Sequence, residues 1–150
     1  MKITANLFSA ACALLLFSIL FTTPAFAQSS DPDQPTSLTK GVIEGSNSSG
    51  LNDEKTYYYA FEVSRGTLTV TLDLMPTNKS DAGGYLQWTM LTTKFAKLKE
   101  DVLTAQGSPQ RQVKDLPVTI KRKIILKIVV SGNTRYKIKL AGSAVNLSAS

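Results

Sequence analysis

The chain contains no histidine, and its single cysteine, Cys12, lies inside an apolar N-terminal run. The first absence removes Ser-His-Asp and Cys-His catalysis and the usual zinc sites. Once the apolar run is lost, the second removes disulfide stabilisation and thiolate ligation of haem or iron–sulfur clusters. Phosphate-loop chemistry is missing as well. The glycine-bearing segments GSNSSG (45–50) and DAGG (81–84) have neither the Lys-Ser/Thr pair nor the strand-to-helix setting such loops need, so they read as turns. The one tryptophan, Trp88, alternates with Leu86 and Met90, which assigns it to a core row rather than to an exposed stacking platform. A carboxylate pair drawn from Asp53, Glu62, Asp73 and Asp81 is the catalytic arrangement left. A small sandwich seldom supplies the deep cleft such a pair requires, so the expectation is a protein without enzymatic activity.

What is present begins with a leader. Lys2 precedes an apolar run from Leu7 to Phe21, and Ala25-Phe26-Ala27 follows as an A-x-A cleavage signature. The run falls short of the ~20 apolar residues of a membrane span. The expectation is therefore a cleaved signal peptide over residues 1–27, export to the periplasm or the extracellular space, and no membrane span after processing. Cys12 sits too early in the run to be a lipidation site. Residues 28–38, rich in Ser, Asp, Gln and Pro, read as an extended arm or linker, residues 39–141 as one β-sandwich domain, and residues 142–150 as a flexible tail.

The strongest local signal is Tyr57–Leu74, YYYAFEVSRGTLTVTLDL. Tyr59, Phe61 and Val63 alternate with polar or small residues, and Leu68, Val70, Leu72 and Leu74 alternate with Thr67, Thr69, Thr71 and Asp73, the period of two that sends one row into a core. The spacing predicts two strands joined by a four-residue loop at Ser64–Thr67, with Phe61 opposite Val70 and Tyr59 opposite Leu72. A second hairpin is expected at Lys123–Leu140, turning at Ser131-Gly132-Asn133 and setting Ile128 against Tyr136 and Lys127 against Lys137, a like-charge contact costing up to about 1 kcal/mol.

The remaining elements are shorter. Gly41–Gly45 reads as a first strand, Ser46–Lys55 and Met75–Gly84 as loops, and Tyr85 to about Thr93 as a strand. Residues 94–104 fit a short helix through Phe95, Leu98 and Val102, or equally a strand through Val102 and Leu103. Gln112–Lys121 reads as an interrupted strand that Pro117 confines to an edge or a bulge. The fold class is all-β, an antiparallel jelly-roll-like sandwich of about seven or eight strands.

Charge is uneven along the chain. Residues 28–93 hold four basic and eight acidic side chains, whereas residues 94–150 hold twelve basic and three acidic. A basic face of Lys121, Lys123, Lys127, Arg135, Lys137 and Lys139 is thus a candidate contact for an anionic polysaccharide or other cell-surface polymer. Tyr58 and Tyr85, on rows opposite the core rows, are the candidate surface aromatics. Nucleic acid is not an expected partner of an exported chain. The alternative is an interaction subunit of an envelope assembly, contacting an envelope protein through sheet edges. Asn47, Asn78 and Asn146 each begin an Asn-x-Ser sequon, relevant in a eukaryotic source alone.

Taken together, the Asp31-Pro32-Asp33-Gln34 start, the strand ending at Gly45, the acidic loop Asn52-Asp53-Glu54, the aromatic strand Tyr57–Val63, the Gly66 turn, LTVTL, ILKIVV and YKIKL resemble the bacterial pre-peptidase C-terminal domain family over about Asp31 to Leu140. The resemblance implies a jelly-roll-like sandwich of the kind appended to secreted peptidases, implicated in secretion and in substrate or carbohydrate binding, here without an attached peptidase. It also implies a calcium site in some members, for which Asp31, Asp33, Asp53 and Glu54 are the matching acids. Tyr57 stands where that family usually has an Asp, and six to eight oxygens would be needed, so no cofactor is expected to be required.

Overall fold

The computed structural model describes residues 28–48, 50, 52–77 and 83–147; the predicted leader lies outside them. Nine strands form among these residues and no helix. They are β1 (Thr36–Ser37), β2 (Val42–Ser48), β3 (Lys55–Val63), β4 (Gly66–Pro76), β5 (Gly84–Leu91), β6 (Lys97–Ala105), β7 (Gln110–Val118), β8 (Arg122–Ala141) and β9 (Val145–Asn146). The all-β expectation holds, with one addition: β1 joins β3 in parallel, while every other pair is antiparallel.

Two sheets face each other. In the first, β8 runs between β3 and β5, with β6 outside β5 and with β1 and β9 on the far side of β3. In the second, β8 runs between β2 and β4, with β7 outside β4. The same 20-residue strand is central to both. Its first half, Arg122–Gly132, belongs to the first sheet, and its second half, Asn133–Ala141, to the second.

Both expected hairpins are corrected by this arrangement. Tyr59, Phe61 and Val63 on β3 and Leu68, Val70, Leu72 and Leu74 on β4 are buried in one core, as their alternation requires, but β3 and β4 do not pair. They lie in opposite sheets, so Phe61 and Leu72 contribute to the core from its two sides. Ser131-Gly132-Asn133 likewise does not reverse the chain. Ile124, Leu126, Ile128 and Val130 line the core from the first sheet, and Tyr136, Ile138 and Leu140 from the second. A hairpin and a continuous strand keep the same alternate row inward, so alternation cannot separate them. Each half of β8 has a strand on both sides, which leaves no edge free for folding back on itself.

The corner is built around Gly132, which adopts φ +74. A Cβ there would run into the carbonyl oxygen of Gly83 and lie 2.7 Å from Gly84 Cα. Glycine alone meets both demands, the left-handed backbone and the close approach. Ser131 and Thr134 beside it are fully buried, and the Thr134 hydroxyl donates to the Ser131 carbonyl at 3.4 Å.

Other expectations resolve as follows. Strand β2 extends to Ser48, past the expected end at Gly45; the missing side chain of Gly45 makes room for the Tyr136 ring, and buried Asn47 donates to the Asp53 carbonyl at 3.1 Å. Residues 97–105 are strand, not helix: Leu103 and Ala105 enter the core, and Leu98 sits at a register shift opposite Met90 and Leu91. Pro117 is on β7, whose one partner is β4, the edge position its missing N–H demands. Trp88 is fully buried. Residues 142–147, expected to be a flexible tail, instead return to the sandwich: Ala144 is fully buried, Val145 pairs with Val63, and Ser64 N–H donates to the Ala144 carbonyl at 2.7 Å. The arm, expected to be extended, turns at Asp31–Gln34 and is docked, with Tyr58 N–H donating to the Ser29 carbonyl at 2.8 Å.

Replacing Gly132 with alanine should cost roughly 3 kcal/mol or more, because strain at φ +74 and overlap with Gly83 act together. Urea unfolding checks this; a loss below about 0.5 kcal/mol, the range of an ordinary surface change, would mean the corner does not constrain β8.

Candidate functional site

The structure does not gather the six basic candidates on one face. Lys123 and Lys127 are on the outer surface of the first sheet, whereas Arg135, Lys137 and Lys139 are on the outer surface of the second, with the core between them. The predicted contact of Lys127 with Lys137 is absent. Lys127 stands between Tyr58 and Thr89, and Lys137 between Glu44 and Asp73. Across the second sheet the row Glu44, Lys137, Asp73, Arg111 alternates in sign over four strands. Lys137 bonds Glu44 at 2.5 Å and Arg111 approaches Asp73 at 3.6 Å. Opposite charges placed side by side stabilise a sheet surface, so the expected penalty is replaced by a small gain. Lys121 reaches Glu62 at 3.9 Å. The basic candidates are therefore dispersed over two surfaces, with Lys121 and Lys137 paired to acids.

The acids named for calcium do not come together either. Asp31 Oδ1 accepts from the Asp33 amide at 2.9 Å, closing a local turn, and Glu54 accepts from the Tyr85 hydroxyl. Among the described residues no group of three or more His, Cys, Asp or Glu is placed to hold a metal ion. Of the four carboxylates considered for hydrolysis, Asp73 and Glu62 lie on the outer surfaces of opposite sheets, and Asp81 lies outside the described residues. Buried Asn47 is engaged inside the fold, Asn78 lies outside the described residues, and Asn146 donates to the Ser64 hydroxyl at 3.2 Å.

What does come together is on the outer surface of the first sheet. Tyr58, Lys127, Thr89 and Glu100 stand side by side on β3, β8, β5 and β6. The neighbouring row, Ala60, Ile125 and Leu91, is apolar and buried although it faces away from the core. Two short segments flank it. On one side the arm turns through Asp31 and Asp33 and sets down Pro32. On the other, residues 92–96 link β5 to β6. An open groove of about 360 Å³ results, lined by Pro32, Tyr58, Thr89, Leu91, Phe95, Glu100 and Lys127.

Phe95 is the unusual member. Among the described residues it is the one non-glycine residue with positive φ, at 59. The left-handed region disfavours a bulky side chain, and the local bonds show what holds it there. Thr92 N–H donates to the Ala96 carbonyl and Phe95 N–H to the Thr92 carbonyl, both at 2.9 Å. The Thr92 hydroxyl accepts from the Lys94 and Ala96 amides at 3.2 and 3.1 Å. The ring is left 43% exposed at the groove. The helical spacing of Phe95, Leu98 and Val102, one of the two readings of residues 94–104, puts Phe95 on a helix face; it sits instead in the turn before β6.

The polar groups are preset. Glu100 accepts from Lys97 Nζ at 2.8 Å, Gln87 Nε2 at 2.5 Å and Thr89 Oγ1 at 3.5 Å, and the Lys97 bond first of all holds its carboxyl below the usual range. It stays ionised, an acceptor. Tyr85 is outside the groove, tied to Glu54, whose carboxylate pushes the phenol up to about 12. A larger cleft of about 510 Å³ lies between β1 and β2, but its aromatic wall, Tyr59, is 3% exposed and presents no face to a ligand.

No protein-family model matches the chain, and no curated protein matches it. Solved structures do. An arabinose-bound α-L-arabinofuranosidase is 14% identical with a TM-score of 0.45, covering 80% of this chain and 23% of its own. This chain thus spans under a quarter of that protein. A family 35 carbohydrate binding module from an environmental isolate is 12% identical, TM-score 0.46, covering 71% of this chain and 79% of its own. A CBM4 structure is 8% identical, TM-score 0.41, covering 69% and 71%. At these identities and scores the likeness carries no ligand or activity across.

Because folding raises the Tyr85 pKa from its ordinary 10.0 to about 12, the bond to Glu54 adds stability below pH 10 and loses it as pH rises through 12. Glu54→Gln should move one tyrosine back toward the ordinary range in an ultraviolet phenolate titration; an unchanged curve would show that Glu54 does not hold that proton.

Proposed function

We propose that the protein is a non-catalytic glycan-binding module and that the groove of Tyr58, Phe95, Thr89, Glu100 and Lys127 is its contact surface. One observation carries the reading: a bulky aromatic held at φ 59 by a hydrogen-bonded turn, its ring exposed across a groove from a second aromatic. A chain relieved of function would place glycine or asparagine there. Sugar rings present apolar C–H faces that stack on aromatic faces and hydroxyls that both donate and accept. Glu100 and Thr89 supply acceptors, Lys127 a donor, and Leu91 an apolar floor.

The balance of one cation and one carboxylate favours a neutral glycan over a polyanion. This revises the expected anionic polysaccharide, which rested on a single basic face. We further propose that the module acts outside the cytoplasm after loss of its leader, as a relative in kind of the pre-peptidase domains it resembles. No described helix is long and apolar enough to cross a membrane.

Calorimetric titration against a panel of neutral and acidic oligosaccharides tests the proposal. At least one neutral member should bind with an affinity little changed between low and physiological salt. Tyr58→Ala should weaken it about tenfold, about 1.4 kcal/mol. Phe95→Gly separates function from fold: it removes the ring and relieves the backbone, so affinity should fall at least about tenfold while thermal stability holds or rises. Retained binding in Phe95→Gly would eliminate this groove, and retention on acidic polymers alone, abolished by salt, would favour a dispersed electrostatic contact.

A further inference from the structure

A third cavity, of about 350 Å³, opens at the end of the sandwich where β4 and β8 begin and β7 ends. It lies between the sheets, lined by Leu68, Met90, Leu116, Val118 and Ile124, with Leu98 at its lip and two cations, Lys99 and Arg122. No carboxylate lines it. Both cations belong to rows that point inward farther along their strands, but Arg122 is half-buried whereas Lys99, near the start of β6, is exposed. Arg122 shares the row of Ile124 and Leu126 on β8, and Lys99 the row of Leu103 and Ala105 on β6.

An inward cation in an apolar cavity is costly unless it meets an anion, because the charge loses water without gaining a partner. Arg122 Nε is buried and has no hydrogen-bond partner, and among the described residues Arg122 makes no ion pair. Lys99 acts on Asp101, but that carboxylate is already bonded to Lys114 at 3.1 Å and to the Val102 amide at 2.9 Å. Asp101–Lys114 closes the edge beside the cavity, joining β6 to β7, and so spends the nearby acid elsewhere. The fold leaves the Arg122 Nε donor unpartnered at an apolar chamber with the Lys99 ammonium at its mouth, while Glu62, Glu44 and Asp73 pair with Lys121, Lys137 and Arg111.

We propose that this cavity binds a small amphipathic monocarboxylate, its carboxylate on Arg122 and Lys99 and its hydrocarbon chain along Leu68, Met90, Leu116 and Ile124. The planar guanidinium fits a carboxylate two-pronged, which a lysine alone does not. The exposed lip residue Leu98 gives the chain an apolar entry. The site is separate from the glycan groove, since it opens between the sheets rather than on an outer surface.

The test is calorimetric titration of the whole protein with sodium decanoate, decanol and decyltrimethylammonium, kept below micelle formation. Decanoate should bind saturably at one site, decanol at least about tenfold more weakly, and the cation not at all. Arg122→Gln should weaken decanoate at least about tenfold, Arg122→Lys less, and Lys99→Gln about threefold. Lys99 is the second variant because its outer position spares the fold, and oligosaccharide binding by each variant checks that the sandwich is intact. Equal affinity for decanol, undiminished binding in Arg122→Gln, or capture by anionic lipid vesicles without binding of free decanoate would each overturn the assignment.

Discussion

Strand β8 is shared by two sheets, and everything else is arranged by that sharing. All eight other described strands flank it or flank its neighbours, β3 and β5 on one half, β2 and β4 on the other, with β6, β7, β1 and β9 outside. The bend at Gly132 turns one period-two row into two facing walls, so a single strand contributes Ile124 to Val130 on one side of the core and Tyr136 to Leu140 on the other. Neither half could be an edge: both outer neighbours are needed to satisfy its backbone. With no disulfide available, the closure of the sandwich rests on this strand, on a core that includes fully buried Trp88, and on the edge bridge from Asp101 to Lys114.

The bend also distributes charge. Because β8 changes sheets after Gly132, lysines that look contiguous in the sequence are carried to opposite outer surfaces, Lys127 to one and Lys137 to the other. On the second sheet the neighbours of Lys137 are the acids Glu44 and Asp73, so that row alternates in sign. On the first sheet Lys127 is left beside Tyr58 and near Phe95, in a groove whose single carboxylate, Glu100, is already organised by Gln87, Thr89 and Lys97. The same outer surface that lost the basic face gained a mixed aromatic and polar one.

Local strain and unmet charge then point to two places with different chemistry. At the groove, backbone conformation is spent on exposing a ring. At the end cavity, Arg122 borders apolar side chains with a buried, unpartnered Nε. The first lies on the outer surface of one sheet and the second at an end of the sandwich, where β4 and β8 begin and β7 ends. The tyrosines sort in the same way: Tyr58 borders the groove, Tyr85 is tied to Glu54, and burial pushes Tyr59 and Tyr136 up, outweighing the hydrogen bonds from Gln28 that favour their phenolates.

The residues alone settled the all-β class, the inward rows of β3, β4, β5 and β8, the burial of Trp88 and the confinement of Pro117 to an edge or a bulge, because a period of two and a missing N–H act locally. They also marked Tyr58 and Lys127 as outward-facing. They could not tell a hairpin from a bent strand at Ser131-Gly132-Asn133, since both keep the same row inward and both use a glycine with positive φ. That choice depends on which strands flank β8, a matter of contacts between Tyr58 and Lys127 or Glu44 and Lys137 that are far apart in the chain. The placement of Phe95, Glu100 and Arg122 followed from it, because charge and aromatic exposure become sites only after the sheets have decided which side each faces.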